Sequence, residues 1–313
     1  MSHQPPAKTS RSLNWKPIFQ LGGTLLSVIL LIGLVRQQGW EEVVAAVRRI
    51  PLPVFLLTLG IMLLSRVCVV LRWYVLLRSA KAPVSFKEIF ELVFVGLFAS
   101  NFLPSTIGGD VVRLAGAVML RVDAGLSAAS LVADRLIGMA GMMVMLPAGL
   151  LSILNNPTAG LSGLLAGFLP FSSRWFEKIR QFLSQVLASL RHWLRHPLGL
   201  IGAFAATLGH MGCTFISVSL LLKAMNSPLD FWQIGGLWSL SYFITLLPIS
   251  INGLGLQEVS ISYLYHTFGG VPLENTLTLS LMMRLLFVGA SLPGALFLPL
   301  LVNLRKNKPD QTL

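Results

Sequence analysis

Long apolar runs, each closed by a short polar or basic stretch, recur over residues 18–302. Runs near the roughly 20 residues needed to cross a hydrocarbon core predict membrane-spanning helices. They are continuous and rich in Leu, Ala and Gly, without the two-residue alternation of a membrane barrel. The pattern predicts helices over residues 18–35, 53–77, 86–103, 126–154, 198–222, 231–247 and 277–302. A shorter run, 160–171, follows the uncharged turn Asn155-Asn156-Pro157, and residues 37–50 read as an amphipathic external link.

Two runs are broken in the same way. One break reads Leu103-Pro104-Ser105-Thr106-Ile107-Gly108-Gly109-Asp110, the other Leu247-Pro248-Ile249-Ser250-Ile251-Asn252-Gly253-Leu254-Gly255-Leu256-Gln257-Glu258. Lipid satisfies no free backbone group, so such breaks survive at membrane depth only where protein buries them or they line a cavity. The arm after the first break, 111–120, is ~15 Å long at 1.5 Å per residue, too short for a ~30 Å core. The second arm, 259–268, is as short. Traced from a basic N-terminus in the cytoplasm, the first break is entered from inside and the second from outside. That is the order of inverted-topology repeats, which place their site near the midplane. The expected fold is all-α: a polytopic helical membrane protein of about eight transmembrane segments, in two inverted halves with two re-entrant Pro/Gly loops.

Composition agrees with this reading. The chain is 54% hydrophobic and 12% charged, against roughly 25% charge in soluble domains. Its net charge of +12 does not point to nucleic acid, because the basic residues cluster between apolar runs, where cytoplasmic loops meet anionic lipid. The expected organisation is a cytoplasmic tail (1–17), a first transmembrane half (18–173), a basic amphipathic linker helix on the cytoplasmic leaflet (174–197), a second half (198–303) and a cytoplasmic tail (304–313). The linker carries Arg174, Lys178, Arg180, Arg191 and Arg195. Nothing in the first apolar run suggests a cleaved signal peptide. Cys68 and Cys213 both fall in apolar segments, so neither a disulfide framework nor a metal site is expected. Motifs for a metalloprotease, a phosphate-binding lysine loop, a nucleophile elbow or an aspartate-rich transferase are missing, so no catalytic residue and no cofactor are expected.

The candidate chemistry lies in charges inside apolar runs, each costing about 2.5–3.5 kcal/mol at a helix centre. They are Arg66, Arg72, Arg113, Arg135 and Arg284 against Asp110, Asp134 and Glu258, a surplus of two positive charges. Glu91 is set aside as a surface partner of Lys87. Arg72, near a cytoplasmic helix end, is expected to snorkel. A positive surplus in a wet cavity suits an anionic phosphate headgroup, which Arg binds bidentately. Gly108 and Gly109 allow close backbone approach by a ligand, and Asp110 is placed at the N-cap of the following arm. Asp110 has three open roles: that cap alone, neutralising Arg113, or carrying a proton. In the second break Ser250, Asn252 and Gln257 surround Gly253 and Gly255, and Glu258 is matched with Arg284. Adjacent on one helix, Asp134 and Arg135 diverge by ~100° and need different partners. His210, His266, Met142, Met143 and Met145 read as packing residues. The binding set is Asp110, Arg113, Glu258, Arg284, Asp134, Arg135, Arg66, Ser105, Gly108, Gly109, Asn252, Gly253 and Gly255.

Taken together, Leu71-Arg72-Trp73, Asn101-Phe102-Leu103-Pro104, Gly108-Gly109-Asp110-Val111-Val112-Arg113 and Ala133-Asp134-Arg135-Leu136 resemble a known family, as do Leu247-Pro248-Ile249-Ser250, Gly253-Leu254-Gly255, Glu258, Arg284 and Pro293-Gly294. It is the transmembrane-domain family of lysylphosphatidylglycerol synthase, also described as flippase-like. The resemblance implies movement of a polar-headed lipid, such as an aminoacylated phospholipid, between leaflets of a cell inner membrane. Eleven residues follow Val302, so the soluble aminoacyl-transferase domain of the full synthase is not expected, nor is synthesis of lysyl lipid. Expected partners are membrane lipids with an anionic or zwitterionic headgroup and a glycosyltransferase or lipid-synthesis enzyme, with no nucleic acid. Two alternatives stay open: an accessory subunit or enzyme acting on polyprenyl-phosphate carriers, and a scaffold recruiting a glycosyltransferase through its basic linker.

Overall fold

The computed structural model describes residues 29, 32, 40–103, 108–154, 197–247, 250 and 253–306. Among them there are helices and turns and no strand. In order the helices are α1 (Trp40–Arg48), α2 (Leu52–Ser79), α3 (Phe86–Ser100), α4 (Gly108–Met119), α5 (Ala124–Leu154), α6 (Pro197–Ala224), α7 (Phe231–Thr245), α8 (Leu256–Thr267), α9 (Leu273–Ser291) and α10 (Pro293–Lys306). The helix expected over 18–35 (apart from Ile29 and Ile32), the run at 160–171, the basic linker helix and the residues 1–17 and 307–313 lie outside the described residues.

Among the described residues four stretches are long and apolar enough to cross a membrane: α2, α5, α6 and Leu273–Pro299, which joins α9 to the start of α10. This is a multi-pass membrane protein. The single helix expected over 277–302 is interrupted at Leu292, because Pro293 has no N–H to continue the ladder. Leu292 closes the preceding turn with a shorter-range bond to the Gly289 carbonyl, 3.2 Å. Helices α3 and α7 have 15 residues each, and α4 and α8 have 12. At 1.5 Å per residue these are about 22 Å and about 18 Å, less than a hydrocarbon core.

The two halves repeat each other in the lengths of three successive helices. Helices α2 and α6 both have 28 residues, and each is followed by a 15-residue and then a 12-residue helix. The turn after α2 holds Lys81 at φ 60°, and the turn after α6 holds Asn226 at φ 56°. The turns after α4 and α8 place Arg121 at φ 65° and Gly270 at φ 66°. Such left-handed residues terminate a helix by redirecting its last carbonyls. Ala82 N–H reaches back to the Leu77 carbonyl at 3.0 Å, and Ser227 N–H reaches the Leu222 carbonyl at 2.9 Å. Ser85 and Asp230 then cap α3 and α7 by accepting from backbone N–H groups of the first turn.

Direction along the shared interface is reversed. Gly199 of α6 lies against Ser79, Gly202 against Val75 and Gly209 against Cys68, while His210 bonds Ser65. Numbers rise along α6 as they fall along α2, so the equivalent helices are antiparallel. The relating axis therefore runs across them. Each half also reaches into the other. Helix α5 packs on α7 where Gly149 and Gly236 meet with no room for a Cβ, and α10 packs on α3 where Gly294 meets the Phe94 carbonyl. Apolar side chains such as Leu57 (54% exposed) and Leu64 (57%) face outward on α2, whereas Ser65 and Arg72 of the same helix are buried. That arrangement, apolar outside and polar within, fits a lipid surround.

Candidate functional site

A cavity of about 350 Å³ sits where the halves meet. Its lining follows the internal repeat. Leu97, Ser100 and Asn101 close α3, and Tyr242, Thr245 and Leu246 stand at the matching places on α7. Arg135 of α5 and Arg284 of α9, each the twelfth residue of its helix, face it from the two long helices. Met142 and Ser291 correspond in the same way, and Asn101 Nδ2 donates across to Ser291 Oγ at 2.8 Å. Matching positions of the two halves therefore contribute to one cavity wall.

In each half an acidic residue at the third position of the short helix holds that arginine. Asp110 accepts from Arg135 Nε through Oδ2, and Glu258 accepts from Arg284 Nε at 2.5 Å. The break supplies a further acceptor in the second half: Arg284 Nη2 donates to the Gly253 carbonyl at 3.3 Å. Gly253 (φ 70°) and Gly255 (φ 74°) have the left-handed backbone that glycine adopts without strain.

Behind the first-half arginine the charges form a chain. Asp134, 2% exposed, is gripped by Arg72 through Nε at 2.6 Å and Nη2 at 3.1 Å. Its Oδ2 also accepts from Arg113 Nη1 and Nη2, both at 3.3 Å. Arg113 Nη1 reaches on to Asp110 at 3.2 Å. The guanidinium of Arg113 lies 4.2 Å from the centre of the Trp73 ring, whose Nε1 donates to Ser130 Oγ at 2.9 Å. Such stacking suits the planar, weakly hydrated guanidinium. At the equivalent places the second half has Ser217, Met283 and Ile261, and so has no counterpart to this chain.

Arg66 lines the cavity from α2 and is held differently. Its guanidinium lies 4.9 Å from the centre of the Phe287 ring, its Nε is buried with no hydrogen-bond partner among the described residues, and no described carboxylate is within ion-pairing distance. His210, also on the wall, shares a 2.6 Å hydrogen bond with Ser65.

Of the residues expected at a site, Arg66, Arg135, Arg284 and Gly253 line the cavity. Asp110 and Glu258 stand immediately behind, with Asp134 and Arg113 one layer further. Gly108 and Gly109 are buried between α3 and α4: a Cβ on Gly109 would stand 2.6 Å from the Gly96 carbonyl oxygen, and one on Gly108 2.5 Å from Leu103 Cβ. Their smallness serves helix packing. Gly255 lies at the N-terminus of α8, and Ser105 and Asn252 are outside the described residues.

Three expectations need correction. Arg72 does not snorkel: it is 9% exposed, because a carboxylate far away in sequence holds it bidentately. Asp110 is not an N-cap: α4 begins at Gly108, which places the carboxylate inside the first turn, where it favours the helix dipole and reaches Arg113 and Arg135. Met143 is not core but 57% exposed, on the outer face of α5. Sequence reasoning missed Trp73, Trp238, Tyr242, Thr245 and Phe287 as parts of the site. Tyr242 and Thr245 match Leu97 and Ser100 in the repeat, but none of the four is charged or lies in a break, so no local signal marked them.

Comparison with curated proteins finds no match for the chain. Against protein families, residues 20–294 match the model of the lysylphosphatidylglycerol synthase TM region, so the chain belongs to that family.

Proposed function

We propose that this protein moves a polar-headed, phosphate-containing lipid between leaflets, the headgroup passing through the cavity while the acyl chains stay in the bilayer. The observation that carries the reading is a cavity with three arginines on its wall, lined by both of two oppositely directed halves. Inverted repeats place transport sites there, and re-packing one half against the other exposes such a site to each side in turn. The short pairs α3–α4 and α7–α8 act as re-entrant hairpins meeting at the cavity, in an arrangement of about eight transmembrane segments. Both termini face the cytoplasm across a cell inner membrane, following the basic tails. The protein carries out no bond chemistry itself and needs no cofactor; a lipid-synthesis enzyme or glycosyltransferase supplies or uses its lipid.

A leaflet-resolved lipid assay in reconstituted vesicles tests this. Wild-type protein speeds exchange well above protein-free vesicles, and Arg284→Gln slows it by about tenfold or more, the loss of one charge-assisted contact. Wild-type rates at the protein-free background would overturn the proposal.

A further inference from the structure

Charge on the cavity wall is one-sided. Arg66, Arg135 and Arg284 reach it from three different helices, and no described lining residue is a carboxylate. The chain breaks outside the described residues, Pro104, Ser105, Thr106, Ile107, Pro248, Ile249, Ile251 and Asn252, contain no acid either. Asp110 and Glu258 orient Arg135 and Arg284 from behind. Glu258 keeps one oxygen, Oε2, without a partner among the described residues, but Glu258 is buried and off the wall. Arg66 has an aromatic ring beside it and no described acid. Its Nε is buried and has no hydrogen-bond partner among the described residues.

We infer that the cavity takes a headgroup of net negative charge, a phosphate monoester or diester without an appended amine, in preference to an aminoacylated cationic one, with Arg66 setting the preference. This names the substrate class of the transport site proposed above and rests on that reading. The phosphate oxygens bridge Arg66 and the two oriented guanidinium groups, using donors that planar Arg presents in pairs. Thr214, Ser241, Thr245 and Gln257 on the same wall supply neutral hydrogen bonds for the phosphate ester or a glycerol hydroxyl. An ammonium group joined to that phosphate would face like charges in a low-dielectric site with no carboxylate to receive it. Selectivity then comes from repulsion as much as from attraction.

Calorimetric titration of the purified full chain in non-ionic detergent reads this directly. The probes are dioctanoyl phosphatidic acid, dioctanoyl phosphatidylglycerol, its lysyl ester and soluble glycerol phosphate. The two anionic lipids bind about tenfold or more tighter than the lysyl ester. Arg66→Gln brings the lipids to within a few-fold of each other, and Arg66→Lys keeps most of the difference. Gln257→Glu, which adds a carboxylate to the wall, narrows the gap independently of Arg66. A lysyl ester bound as tightly as phosphatidylglycerol by wild type overturns the inference. So does an Arg66→Gln protein of unchanged melting temperature that keeps the full preference. Glycerol phosphate bound as tightly as the lipids overturns the assignment to a lipid headgroup. Vesicle exchange without charge preference defeats this inference alone; preference without exchange defeats the transport reading alone.

Discussion

Asp134 accepts from two guanidinium groups at once, at 2% exposure, in the middle of an apolar helix. Replacing it with Asn leaves Arg72 buried with only neutral partners and takes from Arg113 one of its two carboxylates, and losing one member of a buried ion pair costs about 3–5 kcal/mol. Asp134→Asn should therefore lower the melting temperature in detergent sharply. Glu91→Ala, which removes a 4.0 Å contact to the solvent-facing Lys87, should leave it unchanged. Much of this was legible in the sequence, since a charge in an apolar run announces itself. The Glu258–Arg284 match and the separate partners of Asp134 and Arg135 came from charge sign and helix geometry alone. The Arg72–Asp134 pair did not, because the two lie 62 residues apart and no local spacing links them. Position near a helix end made Arg72 look like a snorkelling residue. The Trp73 ring under Arg113 was not legible either, because no local spacing links the two.

Among the helices, close approach decides which glycines matter. A Cβ at Gly109 would press on the Gly96 carbonyl at 2.6 Å, backbone against backbone, with no flexible side chain to yield. Gly109→Ala should push α3 and α4 apart and cost about 1–3 kcal/mol, read as a lower melting temperature and slower lipid exchange. Gly60, within α2, has nothing within 4 Å of an added Cβ. Gly60→Ala should raise stability by up to about 1 kcal/mol through helix propensity, leaving exchange unaffected. The sequence showed Gly108 and Gly109 as a break and suggested a ligand cradle. It could not show Gly96, whose position across the hairpin gives Gly109 a packing role, or Leu103, which does the same for Gly108. Among the described residues the long helices were readable, because apolar runs of membrane length have few alternatives. Helix ends were less so: α4 starts before its acidic residue, and Pro293 divides a run that composition presents as continuous.

For the whole molecule, the antiparallel seam of α2 and α6 makes a geometric prediction. Gly209 lies with its missing Cβ 3.1 Å from Cys68 Sγ. With Cys213→Ser to remove a competing thiol, Gly209→Cys should cross-link to native Cys68 under mild oxidant, seen as a linked peptide by mass spectrometry. Gly212→Cys, whose added Cβ meets nothing within 4 Å, should stay reduced. A parallel seam would not bring Gly209 to Cys68. The sequence revealed the two halves through their Pro/Gly breaks, but not the fidelity of the repeat, since the flanking helices share lengths and turn geometry more than residue identities. Lys81 and Asn226 make the same left-handed turn with different side chains, as do Arg121 and Gly270. That likeness of backbone beneath unlike sequence is what two copies of one shorter peptide would build if threaded through a bilayer in opposite senses. Fusion would then have freed each copy to specialise, and the Arg72–Asp134–Arg113 chain, carried by one half alone, is where that divergence has gone furthest.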